Sequence, residues 1–354
     1  MSVLLITSRC PWPTHTGDRL RATLWMEALR DRELTVAAPA GCASCLSVSR
    51  SPVTLLRGIA RVAADGLPLH TLLSARDWQS SLAHTGPFDT AIVLLTRTDP
   101  WAFHAVRARR WILDAIDSAA AGMTERATAS RGLARAFWSS EARKAERLER
   151  AALQRYDAVV TVTREGFDGK STVLPIGIDI SDLGGQPRTI DFGFWGRLAY
   201  FANEEAVRTI VTRLWPRIRE RHTEASLFLG GAEAPRWIRA LHGRDGITVQ
   251  SPMTSREATL RRIRVALLPI AFGSGQSLKT LEAAEAGCAI AGTPLAFRGC
   301  EELMPDAIVE QDLDSLAERA VALLGNASSG MELHARVARH YSRATTLQRM
   351  AALV

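Results

Sequence analysis

Residues 272–292 read FGSGQSLKTLEAAEAGCAIAG, and the reading of this stretch decides the fold. Two glycines, Gly273 and Gly275, predict a loop at its start. A helix follows, with Leu278, Leu281, Ala284 and Glu285 at helical spacing. It stops at Gly287, a residue suited to the left-handed position just past a helix end. The apolar run Cys288 to Ala291 then predicts a short buried strand. A glycine loop feeding a helix start is a site for an anion, because free N–H groups point outward and the helix dipole favours negative charge. Lys279 and Glu282 stand three residues apart on one face of the first turns. They supply a cation for phosphate and a carboxylate for hydroxyl groups.

Outward from that stretch, the same strand–loop–helix unit recurs. Val3 to Thr7 is a buried strand, PWPTHTG (11–17) a loop, and a helix starts near Asp18, its expected N-cap, with Leu20, Leu24, Met26 and Leu29 as the apolar set. Leu34 to Ala38 is the next strand, which completes the opening of a doubly wound sheet. Short helices are expected around 55–64 and 75–82. DTAIVLL (89–95) and residues 111–116 are buried strands. Residues 96–100 and 114–118 are the loops after their C-terminal ends, the side on which open α/β sheets bind ligands. A long helical stretch runs from Ala119 to Arg155 with a break near Gly132, followed by strands at 158–162 and 172–174. PIGIDISDLGG (175–185) is turn-rich and marks the domain boundary. Beyond it the pattern restarts, with strands at 190–195, 227–229, 247–249, 265–268 and 289–291, and a helix from about 203 to 221 bent at Pro216. Helices at 313–324 and about 343–353 close the chain. The expectation is α/β, with two Rossmann-like doubly wound domains: 1–178 together with a C-terminal helix at about 340–354, and 179–339.

Composition agrees with two domains. A chain of 354 residues is long for one core. Its 47% apolar and 23% charged content is that of an ordinary soluble protein. No run reaches the ~18 apolar residues of a membrane span. The start, MSVLLITSRCPW, lacks a basic leader and reads as a strand, so a cytoplasmic protein is expected. The net charge of +7 is spread evenly: 23 basic and 19 acidic residues up to Gly185, 21 and 18 after it. With no basic block, a nucleic-acid surface is not expected; an overall positive field suits anionic substrates. Of 44 basic residues 41 are Arg, and the three Lys are Lys144, Lys170 and Lys279. A lysine at 279 is therefore informative, since a compact ammonium fits a tight phosphate pocket. Cys42 and Cys45 form a C-x-x-C with no second pair, so they read as free thiols rather than a zinc site. Asp312-Leu-Asp314 precedes an amphipathic helix and reads as a cap. No metal site is predicted. The first loop lacks G-x-G-x-x-G, which argues against a dinucleotide-dependent oxidoreductase.

Several runs resemble one family. FGFWGRLAYFANEEAVRTIVTRLWPRIRERHTEASLFLGGAEAP (192–235), VLPIGIDISDL (173–183) and VALLPIAFGSGQSLKTLEAAEAGCAIAGTPLAFRG (265–299) resemble the C-terminal domain of GT-B glycosyltransferases of the retaining family-4, or group 1, type. PWPTHTGDRLR (11–21), DAIDS (114–118) and YDAVVTVTREG (156–166) look like its N-terminal domain. The nearest branch acts on exported polysaccharides and secondary metabolites. The resemblance implies two domains facing across a cleft, with the C-terminal helix packed back on the first.

It also implies roles. Glu282 would hold the ribose hydroxyls of a nucleoside-diphosphate sugar. The N–H groups of Ser277, Leu278 and Lys279 would cradle the diphosphate, with Ser274 and Gly275 beside them, and the Lys279 ammonium would stabilise the leaving group. Arg197 sits where the family places a diphosphate-binding arginine. Gly17 would allow close approach from the first domain. Asp114 and Asp117 would orient an acceptor hydroxyl or act as base, against the competing reading of turn and capping acids. His15, Thr98 and Asp117 would face the acceptor. The chain departs from the family at four places. Ser274 replaces an acid that contacts the donor sugar. Ala271 replaces an arginine found in a related branch. Ala202 or Asn203 stands where a basic residue is usual. Thr96 and Thr98 stand where a histidine is usual.

The implied reaction is metal-independent sugar transfer with retention, by front-face attack, to a polysaccharide precursor or a secondary metabolite. The donor nucleotide, UDP, GDP or dTDP, is left open, and no further cofactor is implied. A nucleotide-sugar 2-epimerase and a non-catalytic nucleotide-sugar binding protein are the alternatives. Contact with a membrane surface and a homodimer also stay open.

Overall fold

The computed structural model describes every residue except 14, 15, 186, 274 and 327. The chain divides into two compact units, Met1–Ile176 with Thr346–Val354, and Gly177–Thr345.

The first unit is built on seven parallel strands: β1 (Ser2–Ile6), β2 (Glu33–Pro39), β3 (Leu46–Val48), β4 (Phe88–Leu94), β5 (Ala108–Ile116), β6 (Ala158–Thr161) and β7 (Thr172–Val173). Their order is β3-β2-β1-β4-β5-β6-β7. The central strands are continuous apolar runs, as a parallel sheet covered on both faces requires; Val3, Leu4, Leu5 and Ile6 have no exposed surface. The crossovers are α1 (Gly17–Ala28), α2 (Pro52–Ala64), α3 (Trp78–Leu82), α4 (Asp99–Ala102), α5 (Ala119–Ala129) and α6 (Gly132–Arg155). The expected break in the long helical stretch falls at 130–131, with Gly132 at φ +58°. Two details differ from the sequence reading. The N-cap of α1 is Thr16, and Asp18 instead accepts from the Thr16 hydroxyl and pairs with Arg9 and Arg97. The three-residue β3 follows the C-x-x-C turn and is too short to show a period.

The second unit has six parallel strands: β8 (Ile190–Arg197), β9 (Leu227–Ala232), β10 (Ile247–Gln250), β11 (Ile263–Leu268), β12 (Ala289–Gly292) and β13 (Ile308–Val309), in the order β10-β9-β8-β11-β12-β13. Its helices are α7 (Phe201–Thr209), α8 (Trp215–Arg221), α9 (Arg236–Arg239), α10 (Arg256–Leu260), α11 (Leu278–Glu285), α12 (Leu313–Ala322), α13 (Ser328–Tyr341) and the start of α14 (Arg343–Ala352). The bend expected at Pro216 is a π turn, Ile210–Leu214, that puts the proline in the first turn of α8, where its missing N–H costs nothing. At the end of α11, Gly287 at φ +68° lets its own N–H reach the Ala284 carbonyl while the Cys288 N–H reaches Ala283, the paired bonds of a Schellman stop. The last part of α14 belongs to the first unit. Thr346 Oγ1 and Arg349 Nη2 donate to the Pro175 and Val173 carbonyls there, and Met350 is fully buried.

One constraint sets the C-terminal edge of the second sheet. Gly196 and Gly231 are register partners on β8 and β9. A Cβ on Gly231 would overlap the Gly196 carbonyl oxygen, and Gly231 has φ +145°. Only glycine lets the two backbones approach so closely at that dihedral. Gly231→Ala is expected to destabilise the protein by at least ~2 kcal/mol, because backbone and not a flexible side chain must move. Urea unfolding monitored by circular dichroism checks this; an unchanged midpoint would show that the strand ends adapt freely.

Candidate functional site

In the second unit the predicted residues converge at the C-terminal end of β8. Lys279, at the second position of α11, points back over that strand. Its Nζ donates to Asn203 Oδ1 at 2.7 Å and lies 5.3 Å from the centre of the Phe194 ring. Asn203 is held in turn, since its Nδ2 donates to the Arg197 carbonyl at 2.8 Å. Gly196 makes the space: a Cβ there would stand 3.1 Å from both Cε and Nζ of Lys279, and its φ is +142°. No carboxylate touches the ammonium among the described residues. Burial pulls the Lys279 pKa down to about 8, against a smaller opposing pull from Glu282.

Glu282 lies one turn further along α11. Trp195 Nε1 donates to its Oε2 at 2.7 Å, and Arg256 Nη1 is 2.9 Å from its Oε1. Trp195 is buried and Arg256 is exposed. The carboxylate is thus aimed by an indole and retains lone pairs for further donors.

Ser277 caps α11 without a side-chain bond. Its own N–H donates to the Arg298 carbonyl at 3.0 Å, and its hydroxyl meets Thr280 Oγ1. This corrects the expected three-amide cradle, because the Ser277 N–H is already engaged. Leu278 and Lys279 keep the first-turn amides that a helix cannot pair internally. Gly273, at φ +147°, and Gly275 lie in the loop before them; Ser274 lies outside the described residues. Arg197 ends β8 in an exposed ion pair, with Nη2 2.8 Å from Glu233 Oε2. Sequence reading misses Trp195, Glu233, Arg256 and Arg298, and places Asn203 only as a missing cation. Nothing local marks these positions, since separate strands, helices and loops bring them together.

In the first unit Asp114 is a structural acid, which corrects its catalytic expectation. It has no exposed side-chain surface, and Arg21 Nε and Trp25 Nε1 both donate to its Oδ2 at 2.6 Å. Its Oδ1 takes the Ile116 N–H. Arg21, also unexposed, donates from Nη1 to the Leu174 carbonyl. The pair therefore ties α1, β5 and the end of the sheet together. Thr98 is corrected likewise: it is fully buried, with its hydroxyl 3.3 Å from Ser74 Oγ, and it caps α4 rather than facing a ligand. Asp117 follows Ile116, whose φ is +67°, and is partly exposed at the C-terminal end of β5. Gly17 opens α1, and a Cβ placed on it would meet nothing within 4 Å, so the space around it is open. His15 lies outside the described residues.

A polar cluster that sequence reading does not single out sits at the same end of this sheet. Arg97, after β4, reaches Asp18 Oδ2 at 3.6 Å and Ser8 Oγ at 3.1 Å. His70 has both ring nitrogens buried without a partner among the described residues, and burial, helped by Arg97, pulls its pKa down to about 4. Cys42 and Cys45 are free thiols whose sulfurs lie 3.1 Å apart. Asp312 Oδ2 accepts the Ser315 N–H at 2.8 Å and caps α12.

Two outcomes are expected. Asp114→Ala strands the Arg21 charge in the core and should cost about 3–5 kcal/mol in urea unfolding; a loss under ~1 kcal/mol would refute the structural role. Lys279 has a folded pKa below its unfolded value, so the unfolded chain binds more protons between pH ~8 and ~10.5. Its contribution to ligand-free stability therefore rises with pH across that window, by up to about 3 kcal/mol. Lys279→Met should remove this rise in unfolding curves taken at several pH values.

Residues 189–326 match the family profile described as glycosyl transferases group 1. No curated protein matches the sequence. Among solved structures the chain is similar to Anabaena Alr3699/HepE in complex with UDP, at 14% identity and TM-score 0.69, covering 100% of this chain and 99% of that one. It is equally similar to sucrose-phosphate synthase (tll1590) from Thermosynechococcus elongatus, at 14% identity and TM-score 0.69, covering 100% and 98%. WaaG, a glycosyltransferase involved in lipopolysaccharide biosynthesis, matches at 16% identity and TM-score 0.62, covering 99% and 98%. Two parallel doubly wound units with these likenesses give the chain the GT-B fold, and residues 189–326 of its second unit match the group 1 glycosyl transferases profile.

Proposed function

We propose that this protein transfers a sugar from a nucleoside-diphosphate sugar to a polysaccharide precursor or a secondary metabolite, with retention and without a metal ion. The observation that carries the reading is Lys279: a largely buried ammonium with, among the described residues, a neutral amide and a ring face against it, at the start of α11, which has no side-chain cap bond. A protein gains nothing in stability from such a charge. It gains a preorganised partner for a phosphate. The amides of Leu278 and Lys279 and the Lys279 ammonium bind the diphosphate. Glu282, aimed by Trp195, accepts hydrogen bonds from the ribose hydroxyls. Arg197 exchanges its exposed partner Glu233 for phosphate oxygen. The Alr3699/HepE structures hold UDP, UDP with glucose, and UDP-glucose, which makes a uridine donor the first to test here.

In the proposed reaction the bond from the anomeric carbon to the diphosphate oxygen breaks, and the electron pair leaves with the nucleoside diphosphate. Lys279, Arg197 and the helix dipole stabilise that charge. The acceptor oxygen forms its bond on the face being vacated, and its proton passes to the departing phosphate oxygen. On the first unit Asp117 is the acid proposed to orient the acceptor. A serine at position 274 stands where relatives usually carry an acid that contacts the donor sugar.

A melting-temperature series with UDP, GDP, dTDP and their sugars tests it. The true donor at 100-fold its Kd should add about 2.7 kcal/mol, and no shift with any of them sinks the donor site. Binding of a diphosphate raises the Lys279 pKa, so affinity should fall as pH rises through about 8, with proton uptake visible in buffers of different ionisation enthalpy. Lys279→Ala should lower kcat about 100-fold or more, and Glu282→Gln should mainly raise KM. An inverted product anomer would refute retention.

A further inference from the structure

We propose that Tyr200, Phe201 and Phe272 form an aromatic corner beside the diphosphate site, and that it binds a planar, apolar acceptor, a hydroxylated aromatic ring system. The inference rests on the sugar-transfer reading and narrows its acceptor.

Three contacts fix where the corner stands on the second unit. The stretch from Trp195 to Phe201 runs alongside the stretch from Glu282 back to Phe272. Trp195 Nε1 meets Glu282 at 2.7 Å, a Cβ on Gly196 would stand 3.1 Å from Lys279 Nζ, and the Phe201 ring lies 5.8 Å from the Phe272 ring. The contacts come in the same order along both stretches. Glu282 and the aromatic rings therefore lie on opposite sides of the Lys279 ammonium. With ribose at Glu282 and diphosphate at Lys279, the rings stand at the end of the donor where sugar meets acceptor.

The rings are held by the frame of that site and remain open to a ligand. The Tyr200 N–H donates to the Arg197 carbonyl at 3.0 Å, and the Tyr200 carbonyl takes the Asn203 N–H at 2.9 Å. Asn203 is the residue that accepts from Lys279. The Tyr200 and Phe201 rings are 4.9 Å apart and inclined at 66°. On the other stretch Arg298 Nη1 donates to the carbonyl of Gly273, directly after Phe272. Tyr200 is nevertheless 46% exposed and Phe201 53%. Single exposed apolar side chains are ordinary, but rings in mutual contact and left in water mark a binding surface.

The neighbours select the occupant. Residues 198–202 read LAYFA and residues 269–273 read PIAFG, so the Tyr200 hydroxyl is the one side-chain hydrogen-bonding group in the two stretches. A sugar laid against this corner would give up water from its hydroxyls with no side chain there to replace it. An apolar ring gains by leaving water, and it gains again from edge and face contacts with rings already set at an angle. A phenolic oxygen on that ring forms the new bond to the anomeric carbon as the bond to the diphosphate oxygen breaks. Its proton passes to the departing phosphate oxygen.

Equilibrium binding to the full-length protein tests this. Methylumbelliferone and naphthol are the planar probes, methyl glucoside the sugar probe and farnesyl phosphate the aliphatic one. The planar probes should bind at least ~10-fold more tightly than the other two. Phe201→Ala and Tyr200→Ala should each weaken them by about 10-fold, and Phe201→Trp should keep them. The melting temperature and its shift with nucleotide should stay as in the parent, since both side chains are exposed. The proposal falls if the planar probes bind no better than methyl glucoside or farnesyl phosphate, or if Phe201→Ala binds them like the parent. A concentration-dependent dimer abolished by Phe201→Ala, with no probe bound, would assign the rings to a second copy and overturn it. Planar probes held by these rings in a protein whose melting temperature no nucleotide moves would uphold the ring site and sink the sugar-transfer reading instead.

Discussion

An ammonium group taken out of water must be compensated, and around Lys279 the compensation is partial. One amide oxygen and one ring face meet it, and no acid does among the described residues. The geometry of the second unit's strand ends follows from keeping that group where it is. Gly196 has to be glycine for the side chain to pass. Gly231 has to be glycine for β9 to close on Gly196. Asn203 has to bridge from α7 to the β8 carbonyl at Arg197. The site is thus a local deficit of negative charge held rigid by backbone contacts, which is the ground on which a diphosphate is proposed for it.

The first unit treats its buried charge in the opposite way. Arg21 and Asp114 are both inaccessible and directly paired; Arg21 Nη1 and Asp114 Oδ1 reach the backbone and Asp114 Oδ2 also takes the indole N–H of Trp25, while Arg21 Nη2 has no partner among the described residues. That pair holds α1 against the sheet and leaves Asp117, one residue beyond the left-handed kink at Ile116, as the acid with access to solvent. The same sequence run, DAIDS, therefore divides into one acid for structure and one proposed for chemistry. Burial makes the division, and burial is a property of the packed sheet.

Local signals are strong where a single element carries them. Strand after strand is a continuous β-branched and aliphatic run, which reads as a covered parallel sheet from residue types alone. Gly132, Pro216 and Gly287 act through their own dihedral limits, and the break, the π turn and the Schellman stop fall at or beside them. The signals fail where elements are short or partners distant. β3 and β13 have three and two residues and show no period. α13 is absent from the sequence reading, because what seats it is distant in the chain: Gly330 lies directly against the backbone at Gly287. The Ser277 amide looks free because the Arg298 carbonyl that takes it is 21 residues away in sequence.

Residue type and spacing settle the two doubly wound halves, the restart after the connector at 175–185, and the placing of a lysine and a glutamate on the first turns of α11. These are consequences that act within one element, so a linear chain already carries them. How the site is poised belongs to the packed molecule. Trp195 aims Glu282, Asn203 holds Lys279, Glu233 occupies Arg197, and Arg21 removes Asp114 from the surface. Each of these is a contact between residues far apart in the chain, and only packing sets the distance and the burial that give a charged group its role.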